Sequence, residues 1–414
     1  MYRGWLALAG AELTNTNRLI DHTSPDVPQS WEEAELQCRC AVDYVVGDDT
    51  WPGLREFLGD APYTLNTAPW YDPAIPQSAE FLGYWATSVE GLGPTPVDRS
   101  VTPGICAGGS AGPHRDAHRE VTVEVILVAC TNAGAEFGVE WLACRLHDAR
   151  GQRGTTLEYL AAHPGGSAAD PALLRRTVNR VVQISPPQIT NRMGARVQQQ
   201  AEVYTCEFQL AVLDPYTYGP ASSQAITWDT EVVEGIEWAH PPDCENPGSC
   251  TDIPVLASAS CIPNVVDVRP VQPPVCSGCI PVCEVETRVA QIPTAVGVLC
   301  RDQAVTLTIT AGAVEFSGNF WFRPCGSTEM CDRTGFLSIA GLPAGTTIVA
   351  DAVAGRAYGL VGGQEVRQVG IVHTPSGAPW SPAILDAGEC WELVAQTEPG
   401  ADFTASVSVR GRSA

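Results

Sequence analysis

Apolar and polar positions alternate with period two over much of this chain, and glycine and proline break the runs into short pieces. In the first half, residues 4–9, 121–129 and 204–213 read as strands. The run Val121-Thr-Val-Glu-Val-Ile-Leu-Val-Ala opens with strict alternation and is rich in β-branched residues, as a half-buried strand should be. Helical spacing is rarer. Over residues 137–146 it puts Val139, Leu142, Ala143 and Leu146 on one face, and a shorter helix is predicted over 51–58. After Asp170 the letters support two readings. Asp170 can cap a helix that has Pro171 in its first turn, or residues 173–184 can form a strand.

The last third is more regular. Residues 304–311, 315–322, 336–340, 346–350, 356–361, 366–372, 390–397 and 403–410 are short period-two runs with Gly, Pro or Asp turns between them. They predict an antiparallel β-sandwich or jelly roll. The fold class is therefore mainly β with a few helices, divided as 1–222, 223–284 and 285–414. The middle stretch holds nine prolines, six cysteines and nine acids against one arginine. Regular helix is impossible there, because proline removes a backbone donor and restricts the residue before it. It reads as an extended connector. No internal repeat of fixed period is present.

Composition changes the picture in two ways. The 414 residues carry 24 basic and 47 acidic side chains, a formal net charge of −23. Such a surface repels phosphate and excludes bulk binding to nucleic acid or to an anionic membrane. The first ten residues lack the apolar core of a signal peptide, and no window reaches the ~18–20 apolar residues of a membrane helix, so a soluble chain is expected. The sixteen cysteines pull the other way, towards an oxidising destination or bound metal.

Candidate chemistry is sparse. Gly108-Gly-Ser110-Ala-Gly112 matches the letters of a nucleophile elbow, but the flanks lack the strand and helix that would present the serine on a strained turn. His114, Asp116, His118 and Glu120 have metal-ligand spacing, yet a charged loop entering the strand at Val121 accounts for them equally. No phosphate-binding glycine loop occurs. No catalytic residue, cofactor site or metal site is assigned, and an enzyme is not expected. In the connector, Cys276, Cys279 and Cys283 follow Cys244, Cys250 and Cys261. Disulfides among these six would remove loop entropy worth ~2–4 kcal/mol each. Free thiols and half of a zinc knuckle remain open as alternatives.

Four segments together resemble the distal tail protein, a minor tail protein of long-tailed bacteriophages, particularly those of actinobacteria. They are Tyr2-Arg3-Gly4-Trp5-Leu6 through Arg18, Arg119 to Cys130 through Trp141-Leu142, Gln200 to Tyr218 with Leu213-Asp-Pro-Tyr-Thr-Tyr-Gly219, and Gly335 to Asp351. The resemblance covers most of both ends and leaves the cysteine-rich connector unassigned. It implies a ring-forming first domain, a six-fold ring at the tail tip, and an outward C-terminal sandwich. The implied partners are further copies of the chain, the tail tube protein, the tape measure protein and the tail-tip hub protein, and the implied location is the virion. The acidic composition suits a wall that DNA passes without sticking. An all-arginine set of basic residues fits the coding bias of a GC-rich genome. The alternative is a carbohydrate-binding sandwich displayed on the virion or secreted. Trp321, Trp380 and Trp391 are then possible stacking platforms, and Trp380, in a proline-flanked loop, is expected to be exposed and to contact glycan.

Overall fold

The computed structural model describes residues 2–16, 18–19, 58, 63–163, 170–194, 202–235, 284–297, 302–327, 333–366, 371–374 and 380–413. All but Leu58 of the expected 51–58 helix lie outside these residues. So do most of the connector and its cysteines Cys244, Cys250, Cys261, Cys276, Cys279 and Cys283.

The protein is mainly β, built from antiparallel sheets. Its strands are β1 (Tyr2–Leu8), β2 (Ala11–Asn15), β3 (Phe81–Glu90), β4 (Val97–Asp98), β5 (Val101–Pro103), β6 (Gly109–Ala111), β7 (Arg115–Asp116) and β8 (Arg119–Ala129). After helix α1 (Asn132–His147) come β9 (Thr155–Leu160), β10 (Arg175–Gly194), β11 (Glu202–Val212) and β12 (Thr217–Ala225). Two compact units result, Met1–Pro220 with Ser413–Ala414, and Ala221–Arg412, and the division falls within β12.

In the first unit, β10 is the branch point of one sheet. Its first residues pair with β9 and β12, in the order β2-β1-β9-β10-β12. From Val181 onward it pairs with β11, which pairs with β8, which pairs with β3. Val121, Val123, Val125 and Leu127 of β8 are buried in a core shared with Leu6 and Leu8 of β1, Leu157 of β9 and Leu142 and Leu146 of α1. The two readings after Asp170 are both realised in part. Asp170 caps a single 3-10 turn, its carboxylate accepting from Ala172 N at 2.9 Å, and the chain then becomes strand at Arg175.

Helix α1 starts where Thr131 caps it, accepting from Gly134 N at 3.0 Å. Its inner face overlaps the expected one, with Leu142 and Leu146 buried and Val139 against the core, but is turned towards its glycines. Gly134, Ala135, Gly138, Trp141, Leu142 and Leu146 are buried, while Val139 and Ala143 are half-buried. The two glycines decide this. A Cβ at Gly138 would meet Leu127 and Phe81 side chains at 2.8 Å, and one at Gly134 would meet the Glu80 carbonyl carbon and oxygen at 2.7 Å. Backbone cannot yield as a side chain can. Gly134→Ala gains up to about 1 kcal/mol of helix propensity and loses about 1–3 kcal/mol to overpacking. Net destabilisation is therefore expected in urea titration, and a stabilised Gly134→Ala protein would contradict this packing.

The second unit contains β13 (Thr230–Gly235), β14 (Glu284–Gln291), β15 (Asp302–Ala311), β16 (Phe316–Pro324), β17 (Thr334–Leu342), β18 (Thr347–Asp351), β19 (Arg356–Val361), β20 (Gln364–Val366), β21 (Val372–His373), β22 (Ala383–Asp386), β23 (Trp391–Thr397) and β24 (Phe403–Ser413). One sheet runs β13-β14-β23-β16-β17-β21. The other runs β24-β15-β18-β19-β20, with β22 beside β15. Phe320, Leu337 and Leu393 from the first sheet meet Leu307, Ile348 and Val407 from the second in one core, which makes the unit a sandwich. Of the predicted 366–372 run, Val366 ends β20 and Val372 opens β21, and the residues between lie outside the described set. Cys325 and Cys390 form a disulfide across the ends of β16 and β23.

Candidate functional site

Two features of the first unit stand out: a sheet with an acidic face, and a cleft lined by arginine.

The sheet β10-β11-β8-β3 has two edges. Among the described residues, β3 pairs with β8 alone, and β10 beyond Val181 pairs with β11 alone. The β10 edge is blunted, since Pro186 and Pro187 lack N–H groups and the register shifts three times along its ladder. By contrast, β3 is ten residues long, carries no proline, and buries its first six residues. Its outer edge is covered by the chain itself: Trp70 Nε1 donates to Phe81 O at 2.9 Å, Arg3 Nη1 to Thr87 O at 2.9 Å, and Gly83 lies against Trp70 and Leu19.

The polar face of this sheet is acidic. Ser88, Glu124, Glu207 and Gln188 sit directly opposite one another along one cross-strand row. Glu90 pairs with Thr122 on the same face, and Glu120 is exposed at its end. Those outward positions of β3, β8 and β11 hold four carboxylates and no arginine. Glu124 and Glu207 face each other directly, an arrangement that costs stability. Glu124→Gln is expected to raise stability by about 0.2–1 kcal/mol, read as a higher unfolding midpoint. A lower midpoint would show that the pair is not repulsive.

The cleft, about 350 Å³, is lined by Val89, Gly91, Leu92, Gly93, Tyr159, Ala161, Arg176 and Thr217. Gly91 has φ +90°, and a Cβ there would sit 1.8 Å from the Glu120 carbonyl oxygen, so this wall lies against β8 because it lacks a side chain. Arg119 holds the walls from below. Its side chain is 1% exposed. Nε donates to Pro215 O at 2.6 Å, Nη1 to Gly93 O, and Nη2 to Thr95 Oγ1 at 2.6 Å and Thr217 Oγ1 at 3.4 Å. Burial lowers the pKa of the Arg119 guanidinium, and burial lowers that of Arg176 as well. Tyr159, hydrogen-bonded to Thr217, is shifted upward by burial against the opposing pull of both arginines. Neither arginine forms an ion pair with a carboxylate among the described residues.

No family model matches the sequence, and no curated protein matches it. Solved structures do match. The Dit protein of phage SPP1, described as a paradigm of the hub adsorption apparatus in phages infecting Gram-positive bacteria, is similar at a TM-score of 0.38 and 10% identity. That match covers 80% of this chain and 93% of the other. Two structures of the phage P2 baseplate in its activated conformation, with Ca and with Sr, match at TM-scores of 0.38 and 0.37 and identities of 8% and 9%. Each covers 76% of this chain and 90% of the matched chain. Its structural neighbours are phage hub and baseplate proteins. At these TM-scores the likeness carries no weight for function.

The motifs picked out from sequence are dispersed. Ser110 lies on β6, an exposed three-residue strand paired with β5, with no helix behind it. His114 Nε2 is 3.4 Å from Asp116 Oδ1, and His118 Nε2 is 3.8 Å from Glu120 Oε1, as two separate exposed pairs. Trp380, expected to stand in solvent, is half-buried against the second core with its indole nitrogen enclosed, because the sandwich draws its ring inward. Trp321 is buried beneath Arg333, whose guanidinium sits 4.9 Å from its ring centroid. Trp391 is half-buried and donates to Asp386 O at 2.8 Å. Among thiols, Cys206 is enclosed in the first core, where burial pushes its pKa up to about 11 and keeps it unreactive. Arg119 was missed, although its place two residues before Val121 puts it on the inward face of β8.

Proposed function

We propose that this chain is a structural, non-catalytic component of a phage tail tip: a distal tail adaptor that closes into a ring, joins tail tube to hub, and carries its second unit outward. The acidic face of β3, β8 and β11 is the observation that supports this most. Head-to-tail contacts between copies generate a ring when the rotation closes. The acidic row Glu90, Glu120, Glu124 and Glu207 suits the inner wall of such a ring, where carboxylates repel passing DNA phosphate. The opposed Glu124–Glu207 pair is then a cost in stability retained for that repulsion. The partners on this reading are further copies of the chain, the tube protein, the tape measure protein and the hub protein, and the chain resides in the virion.

Light scattering behind a sizing column tests the ring. A mass about six times the 44.0 kDa chain is expected for closed six-fold symmetry. A monomer that persists at high concentration and in the presence of the tube protein would overturn it. Glycan binding by the second unit has no comparable support, since Trp321, Trp380 and Trp391 are all at least half-buried.

A further inference from the structure

The cleft in the first unit presents an unanswered positive charge in a strongly acidic protein. Arg176 is half-buried on its wall. Its Nη1 donates to Leu173 O at 2.6 Å and Arg175 O at 2.9 Å, which holds the guanidinium plane in place. No acceptor among the described residues meets Nε or Nη2. Those two nitrogens form the edge of a guanidinium that matches both oxygens of a carboxylate in parallel. Behind them the fully buried Arg119 adds a second positive charge and, by bonding Gly93 O and Thr217 Oγ1, fixes two walls of the cleft. The Tyr159 ring completes the lining. An anion on that edge would supply the charge-assisted pair that no described residue gives it.

We propose that this cleft binds a carboxylate group on the Nε–Nη2 edge of Arg176, with Arg119 as the positioning residue. The carboxylate has two possible sources, a free carboxylate anion or an acidic side chain of a second copy of the chain. The site stands independently of the ring.

The test uses the full chain and acetate as probe, with chloride at equal ionic strength as control. Acetate is expected to raise the thermal unfolding midpoint of the wild type saturably and beyond chloride. In Arg176→Gln the apparent affinity should fall about tenfold or more, the loss of one bidentate charge-assisted contact. Arg176→Lys, which keeps the charge without the fork, should fall between them. Light scattering on the same samples separates the sources. If a second copy supplies the carboxylate, Arg176→Gln lowers the mean mass and acetate lowers that of the wild type. If the ligand is free, the mass is unchanged and the midpoint shift remains. Should Arg176→Gln fail to fold, the wild-type titration still decides. A wild type that responds to acetate as it does to chloride, or equal responses in wild type and Arg176→Gln, with masses unaltered, overturns the site.

Discussion

Arg119→Met is expected to destabilise the first unit by about 1–3 kcal/mol, the cost of leaving a buried acceptor unsatisfied. The methionine fills much of the space but leaves Gly93 O without its donor and removes one donor each from Pro215 O, Thr95 and Thr217. Thr95 Oγ1 retains one bond, to Pro215 O at 2.9 Å. Three segments distant in sequence, around residues 93–95, 119 and 215–217, are tied by this one side chain. Arg119→Lys keeps the charge but replaces a fork of five donors with a flexible ammonium, and is expected to recover less than half of the loss. Arg153→Met, at an exposed position, should change stability by less than about 0.5 kcal/mol. Urea titration followed by tryptophan fluorescence measures all three. A loss under about 1 kcal/mol for Arg119→Met would mean that water takes over the abandoned carbonyls and that Arg119 does not hold the cleft.

The second large effect belongs to the other unit. Cys325 and Cys390 are 65 residues apart in sequence, and closing a loop of that length removes chain entropy worth about 4 kcal/mol from the unfolded state. The double substitution Cys325→Ala/Cys390→Ala should therefore cost the second unit about 2–4 kcal/mol. The fold itself should survive, because Pro324 and Trp391 still pair on β16 and β23 and Cys325 N still reaches Cys390 O at 3.0 Å. Comparison of the double variant with the wild type under oxidising conditions isolates this bridge. Equal midpoints would show that it adds nothing to the ladder already formed around it.

The strands that were legible in sequence are those whose two faces meet different surroundings. In β8, Val121, Val123, Val125 and Leu127 are buried while Glu120, Thr122 and Glu124 are not, so alternation in the letters reports alternation in space. The eight runs of the C-terminal third are readable for the same reason. By contrast, β3 is buried over six consecutive residues and bends at Gly83, whose φ is +132°. Over those six residues no polar face alternates with a buried one, so there is no period to detect. The inner face of α1 is turned from its apolar stripe because the closest approach is made by Gly134 and Gly138, which have no side chain to be counted.

The candidate sites divide along the same line. Glu120, Glu124 and Glu207 are visible as letters, but that two of them oppose each other depends on the register between β8 and β11, strands 70 or more residues apart in sequence. Cys325 and Cys390 carry no sign of their pairing, because a disulfide needs Cα atoms brought to 5.3 Å and only the folded sheet does that. The sequence alone determined a mainly β chain, a regular C-terminal sandwich and a surface hostile to phosphate, since periodicity, turn residues and net charge are local or additive quantities. Tertiary structure alone decided which carboxylates oppose each other, which arginine is buried without a carboxylate, and which residues line a cleft. Those depend on distances between segments far apart in the chain, and no local spacing encodes them.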